Sequence, residues 1–280
     1  MMKYELIPEQ LLYEGLVGAD NFFEPELVSK EIVYLAHDKK YTDDLLNLSL
    51  DPKMVRRIGF PMSESLLKRE LYLIDGSIKA SLEAIKTGVS FNTAGGTHHA
   101  GRDFGEGFCL LNDQAVAAAY LYHEGIAKKI LIIDLDVHQG NGTAHIFENH
   151  SSIFTFSIHG EKNFPFKKEK SHLDIALHDG VEDEEYLTLL SETLPKLFEQ
   201  VEPDFVYFQS GVDVLATDKL GKFKMSLEGC RKRDELVFQN CKRYKVPVEV
   251  SMGGGYSFQI KDIVNAHVNT YRAAIDIYDL

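Results

Sequence analysis

The sequence predicts an α/β fold: one domain, a three-layer sandwich with helices on both faces of a mostly parallel sheet. Three observations predict it. After residue 88, short apolar runs alternate with helix-like stretches. The runs are continuously apolar rather than strictly alternating, as expected of strands covered on both faces. Each run ends in a cluster of His, Asp, Gly or Tyr, and ligands of open parallel sheets gather beyond the carboxyl ends of the strands. All 280 residues are read as a single unit, mainly helical over 1–87 and alternating over 88–280. No repeat, low-complexity segment or linker divides it.

The elements follow in order. Residues 61–86 carry Leu67, Leu71, Ile74, Ile78, Leu82 and Ile85 at spacings of three and four, one buried stripe of an amphipathic helix. Pro61 and Ser63 mark its start and Gly88 its end. Strands are expected at 89–93, 130–137, 153–158, 204–209 and 247–252. Helices are expected at 112–124, 142–149, 184–200, 226–243 and 259–278. Their alternation implies right-handed crossovers between parallel strands. Residues 159–174 form a charged, proline-containing loop, with basic residues at 167–170 facing solvent.

Composition narrows the function classes. The formal charge is −13, so nucleic-acid phosphates are repelled and direct nucleic-acid binding is not expected. A cationic or neutral substrate suits that charge better. The longest apolar runs fall short of the roughly 20 residues that span a membrane, and no signal peptide is read at the N-terminus. Cys109, Cys230 and Cys241 form no CxxC pair, so they read as reduced packing thiols of a cytoplasmic protein. The oligomeric state stays open.

"DLDVH" carries the sharpest chemistry. Side chains two apart on a strand share a face, so Asp134, Asp136 and His138 point the same way. Asp and His supply the oxygen and nitrogen ligands of zinc. Asp213, just past the strand 204–209, is the candidate third ligand. A metal-activated water needs a base, and His98 and His99 in "GGTHHAG" end a neighbouring strand. Asp134 and Asn141 are available to orient the two imidazoles. Tyr256, after three glycines, can aim a phenol at a developing oxyanion.

Together "GGTHHAG…GEGFCLLND", "IDLDVHQGNG", "SGVDVLATDKLG" and "GGGYS" resemble the histone deacetylase family of zinc amidohydrolases, which has an arginase-like α/β fold. "DLDVHQGNG" and "KRDELVF" look most like its class IV branch and bacterial relatives. The resemblance is strong over 61–280 and looser before. It implies zinc on Asp136, His138 and Asp213, His99 as general base and then acid, His98 as its electrostatic partner, and Asp134 behind His98. It implies Tyr256 as carbonyl-polarising residue and an acyl-lysine tunnel formed by Gly107, Phe108, Phe164, Leu220 and Gly254. It also implies potassium, at Asp134, Asp136, His138, Ser157 and Ile158, and at a second site near Phe147, His150 and Ile153. The implied substrate is an acylated lysine or another acylated amine.

Three departures from the family pattern stand out. Asn141 occupies a position where some members have aspartate, which should leave His99 less basic. The family usually begins with a strand, whereas "MMKYELIPEQ" already lies in the helical region, so that strand and its tunnel-mouth loop are expected to be either absent or differently started. The chain is also read as compact, and no partner-binding tail is expected.

Rival functions are an arginase-like two-metal hydrolase, an acetylpolyamine or other small-amide amidohydrolase, and a non-catalytic acyl-lysine binding module. The first would want more aspartates where Gln139 and Val214 stand. The last would lack the base or the tyrosine, and both are present. His37, His123, His145, His172, His178 and His267 read as surface or core residues, and Cys109 as packing.

Overall fold

The computed structural model describes residues 2–280. Among them, six strands form one sheet: β1 (Val89–Asn92), β2 (Ile130–Asp134), β3 (Ile153–Gly160), β4 (Leu173–Leu177), β5 (Phe205–Gln209) and β6 (Val248–Ser251). The order is β1–β6–β5–β2–β3–β4, and every neighbouring pair is parallel. From β2 the chain moves outward through β3 to β4, then returns to lay β5 on the other side of β2. The direction therefore reverses between β2 and β5, the switch point where open α/β sheets bind ligands.

Five helices cover the sheet: α5 (Glu64–Thr87), α6 (Asp113–His123), α8 (Asp183–Val201), α9 (Leu227–Tyr244) and α10 (Ile260–Tyr278). Strand side chains alternate between two cores. Leu131, Ile133, Val206 and Phe208 pack with Leu190, Leu194, Phe198 and Val237 of α8 and α9. Ile130, Ile132, Phe205 and Tyr207 face Ile74, Ile78, Ala115 and Val116 of α5 and α6. Both faces are thus sealed, which is why the strands lack polar alternation. Helices α1 (Lys3–Tyr13), α2 (Lys30–Val33), α3 (Lys39–Leu46) and α4 (Pro52–Ile58) precede α5, and α7 (Asn141–Phe147) follows β2. Ile7 and Leu11 of α1 join Val264, Val268 and Tyr271 of α10 in a third cluster.

Helix ends follow their caps. Ser63 Oγ accepts the Leu66 N–H at 3.2 Å, and Gly88 closes α5 at φ 90°. Asn112 accepts the Ala115 N–H at 3.0 Å to start α6.

Four expectations need correction. β2 stops at Asp134 rather than at 137, so Asp136 and His138 lie in the turn beyond the strand and not on its alternating face. The loop at 159–174 is shorter than expected, because β3 runs to Gly160 and a further strand, β4, begins at Leu173. At the sheet edge "LDIAL" alternates partly buried and exposed positions, so it lacks the apolar run that marks the other strands. Within the basic stretch 167–170, Lys168 is partly buried and donates to the carbonyls of Asn163 and Pro165. The stripe on α5 is displaced at its end: Ile85 is 46% exposed, and Ala80, Ser81 and Ala84 are buried instead.

No strand precedes α1 among the described residues. In the sheet order β1 is an edge strand, and beside it lies a cavity of 1070 Å³ lined by Phe22, Phe23, Tyr72, Phe91 and Tyr271.

Candidate active site

The switch point brings together the ends of β2, β5 and β6. Asp134 ends β2, and the following turn is pinned by its own carboxylates. Asp134 Oδ1 accepts the Asp136 N–H at 3.1 Å, and Asp136 Oδ1 accepts the His138 N–H at 3.0 Å. Asp213 Oδ1 reaches across from the β5 end to accept the Val137 N–H at 2.9 Å. From the β6 end, the Gly254 N–H donates to Asp136 Oδ2 at 2.8 Å. Glycine is required for this closeness. A Cβ on Gly211 would stand 2.1 Å from Asp136 Oδ2, and one on Gly254 2.1 Å from Asp213 Oδ2. Gly254 thus backs the carboxylates as well as lining the pocket.

Asp136, His138 and Asp213 offer ligand atoms within 4.8 Å of one another, and no other such group of His, Cys, Asp or Glu occurs among the described residues. His138 Nδ1 lies 3.1 Å from Asp136 Oδ1 and 3.0 Å from Asp213 Oδ2. Both carboxylates are fully buried. Burial and the Asp136 charge push the Asp213 carboxyl up to about 7. Burial opposes a charged Asp136, but the His98 and His138 imidazoles outweigh it and hold its carboxyl well below the usual range. Burial likewise disfavours a charged His138, yet the Asp213 and Asp136 carboxylates raise it to about 10. Two buried carboxylates thus share one imidazolium, which is the charge arrangement a divalent cation would satisfy.

The two histidines differ. His98 Nδ1 lies 2.7 Å from Asp134 Oδ2, and His99 Nδ1 lies 2.7 Å from Asn141 Oδ1. Both oxygens accept, so each ring carries its proton on Nδ1 and leaves Nε2 for the pocket. Burial disfavours charge on His98, but Asp134 and Asp136 outweigh it and raise the imidazole to about 9. Burial, reinforced by His98 and His138, holds His99 well below its ordinary value. The pair is one cation and one neutral base, ring centroids 4.1 Å apart.

A cavity of 650 Å³ opens over these groups, and Gly107, Phe108, Phe164, Leu220 and Tyr256 line it. Phe164 meets the His99 ring edge-on at 5.0 Å, and Phe108 packs on Phe60 at 5.2 Å. Tyr256 is tied down by its N–H to Asp218 Oδ2 at 2.6 Å, and burial raises its phenol. Asp134 pairs in register with Ser157, while Phe147 and His150 share a turn closed by His150 N–H to Phe147 O at 2.9 Å, and the Ile153 N–H at the start of β3 donates to His150 Nδ1 at 3.1 Å.

Comparison with known proteins now decides the family: the model of the histone deacetylase domain matches residues 1–271. The chain belongs to the histone deacetylase family. It is similar to an uncharacterised protein of Picosynechococcus, 41% identical over 278 residues, 99% of this chain and 93% of the relative. With histone deacetylase 1 of Homo sapiens it shares 29% identity over 95% of its own length but 58% of that protein. A crystal structure of an HDAC homologue from Aquifex aeolicus matches with TM-score 0.82 at 25% identity, covering 98% of this chain and 81% of that one. The sheet is that of the arginase/deacetylase fold, and the chain is an amidohydrolase of the deacetylase type.

Several residues of this deacetylase family site escaped the sequence. Lys3 of α1 is buried, lines the pocket and donates from Nζ to Gly253 O at 2.7 Å. Burial lowers it to about 8, against the pull of Asp213, Asp136 and Asp218. Asp113 accepts from the Gly96 and Thr97 N–H groups and fixes the loop ahead of His98. Asp218 holds Leu220 as well as Tyr256. Arg233 donates to Leu135 O and Gly211 O. Only "LLND", "ATDKLG" and "KRDELVF" signalled any of these, as motif members without a role. All three cysteines are buried and unpaired, as expected of packing residues. No helix is long and apolar enough to cross a membrane among the described residues.

Proposed function

We propose that this chain hydrolyses the amide of N-acyl-lysine with zinc as its metal. One observation carries this reading: a neutral His99, a cationic His98 and Tyr256 line the same cavity as a buried Asp–His–Asp group. The donor set fits zinc, two carboxylates and one imidazole leaving a position open. Bound by Asp136, His138 and Asp213, zinc would polarise the acyl carbonyl and acidify a water.

The chain's own groups do the rest. His99 Nε2 takes the proton of the attacking water, because its Nδ1 is committed to Asn141. The Tyr256 O–H donates to the carbonyl oxygen as negative charge grows there. His98, kept cationic by Asp134, favours that charge electrostatically. His99, now protonated, delivers its proton to the leaving lysine nitrogen. Phe108, Phe164 and Leu220 enclose the lysine methylenes, and the Gly107 carbonyl accepts from the substrate amide. Potassium is proposed as a structural ion at Asp134, Ser157 and Ile158, and at Phe147, His150 and Ile153.

The test is a panel of acyl-lysine peptides and acetylated polyamines, with zinc added or chelated. Zinc-dependent release of free lysine side chains is expected. SAHA, with which an HDAC homologue was crystallised, is expected to compete with the peptide. Turnover of acetylated polyamines alone would move the assignment to small amides. Binding of acyl-lysine peptide without turnover would make the site a recognition module.

A further inference from the structure

We propose that Glu106 is a positioning residue for His99, acting through Asn141. The proposal rests on the deacetylase reading for its kinetic consequence, and on geometry alone for its structural one. Asn141 Nδ2 donates to Glu106 Oε1 at 2.5 Å, while Asn141 Oδ1 faces His99 Nδ1 at 2.7 Å. Glu106 Oε2 in turn accepts from Arg57 Nε at 2.6 Å. Arg57 sits over the Phe104 ring at 4.0 Å, which fixes the far end of the chain of contacts.

An asparagine amide can present either end to a neighbour. With its oxygen toward His99, the imidazole keeps its proton on Nδ1 and Nε2 is free to act as base. With its amino group toward His99, Nδ1 must accept, the proton moves to Nε2 and the base is lost. A carboxylate accepts only, so Glu106 holds the Asn141 amino group on its own side and forbids the flip. Asn141 is buried, and Glu106 is the acceptor that its amino group meets there. Glu106 also returns, one residue further out, the negative charge that an asparagine lacks.

The same residue links the base to the tunnel rim. Glu106 O accepts the Cys109 N–H at 3.0 Å, and the Phe108 N–H donates to Ile58 O at 2.8 Å beside Arg57. The loop that carries Gly107 and Phe108 is thereby joined to α4 and, through one carboxylate, to His99.

Glu106→Ala and Glu106→Gln test this in the zinc-loaded enzyme. The direct readout is the imidazole ¹⁵N spectrum of histidine-labelled protein, with the His99 signals assigned by their loss in His99→Gln. In the parent His99 shows a protonated Nδ1 and an unprotonated Nε2. In Glu106→Ala the other tautomer gains population, and kcat on an acyl-lysine peptide falls about 10–100-fold with KM little changed, the usual cost of losing such a partner. Glu106→Gln, which keeps an acceptor oxygen, recovers the Nδ1–H tautomer and part of kcat. A His99 tautomer unchanged in Glu106→Ala overturns the proposal. Failure of every acyl-lysine peptide to turn over would overturn the deacetylase reading and leave the spectroscopic test standing.

Discussion

Asp213 and Tyr256 lie on the same cavity, and single substitutions separate the roles proposed for them. Asp213→Ala removes one of the three side chains able to hold a metal and leaves only Asp136 and His138 of the group. It should lose stoichiometric zinc, measured by elemental analysis after dialysis; a full zinc complement with activity would mean another ligand. Tyr256→Phe removes only the hydroxyl. It should keep its zinc and lose about 10²–10³ in kcat, the usual effect of deleting one oxyanion donor. Full turnover in Tyr256→Phe would remove it from the mechanism. At this scale much of the candidate site was legible. Asp134, Asp136 and His138 stand at a period of two after an apolar run, and Asp213, His98 and Tyr256 each follow another strand. Lys3, Arg57 and Glu106 were not legible. Their partners lie 250, 49 and 35 residues away, and nothing local in a helix or loop sequence marks such a pairing.

One helix holds two strand ends in place. Arg233 of α9 is fully buried and donates to Leu135 O at 3.1 Å and Gly211 O at 2.5 Å. Those carbonyls belong to the residues just before Asp136 and just ahead of Asp213, on the two sides of the switch point. Asp234 balances the charge at 2.8 Å and is itself held by Thr270 Oγ1 at 2.7 Å from α10. Arg233→Met should cost about 3–5 kcal/mol in urea unfolding, because it strands the buried Asp234 carboxylate. It should also weaken zinc about 10–100-fold in competition with a chromophoric chelator, since the ligand loops lose a shared tether. In Arg233→Met/Asp234→Leu the stability should largely return and the zinc affinity should not. Return of both would reduce Arg233 to charge compensation. The helices after β1 were legible to within a residue or two because their periodicity and ends are local, whereas α1–α4 were read only as a helical region. β4 was not, since an edge strand with one covered face carries too little apolar sequence.

Over the whole molecule, net charge describes the surface and not the site. The chain carries −13, yet Lys3, Arg56, Arg57 and Arg69 all line the active-site cavity. Sheet order was likewise beyond the sequence, because alternation of strand and helix does not say on which side of β2 the fifth strand returns. Global stability has a titration of its own at His37. This buried ring uses both nitrogens as a neutral group: Nδ1 lies 2.8 Å from Gly101 O, and Nε2 accepts the Asn112 N–H at 2.9 Å. Those bonds join the loop after His99 to the start of α6. Burial lowers the imidazole from 6.5 to about 4. The unfolded chain therefore binds this proton more readily than the folded one. The contribution is complete above pH 6.5 and is lost as pH falls toward 4, about 3 kcal/mol in all and about 2 kcal/mol by pH 5. His37→Gln cannot titrate, so its urea stability should fall less steeply than the parent's between pH 7.5 and about 5. Both proteins are compared in excess zinc, where the pH dependence of metal binding cancels in the difference. Parallel stability curves for the two would show that His37 is not the group whose protonation loosens the fold.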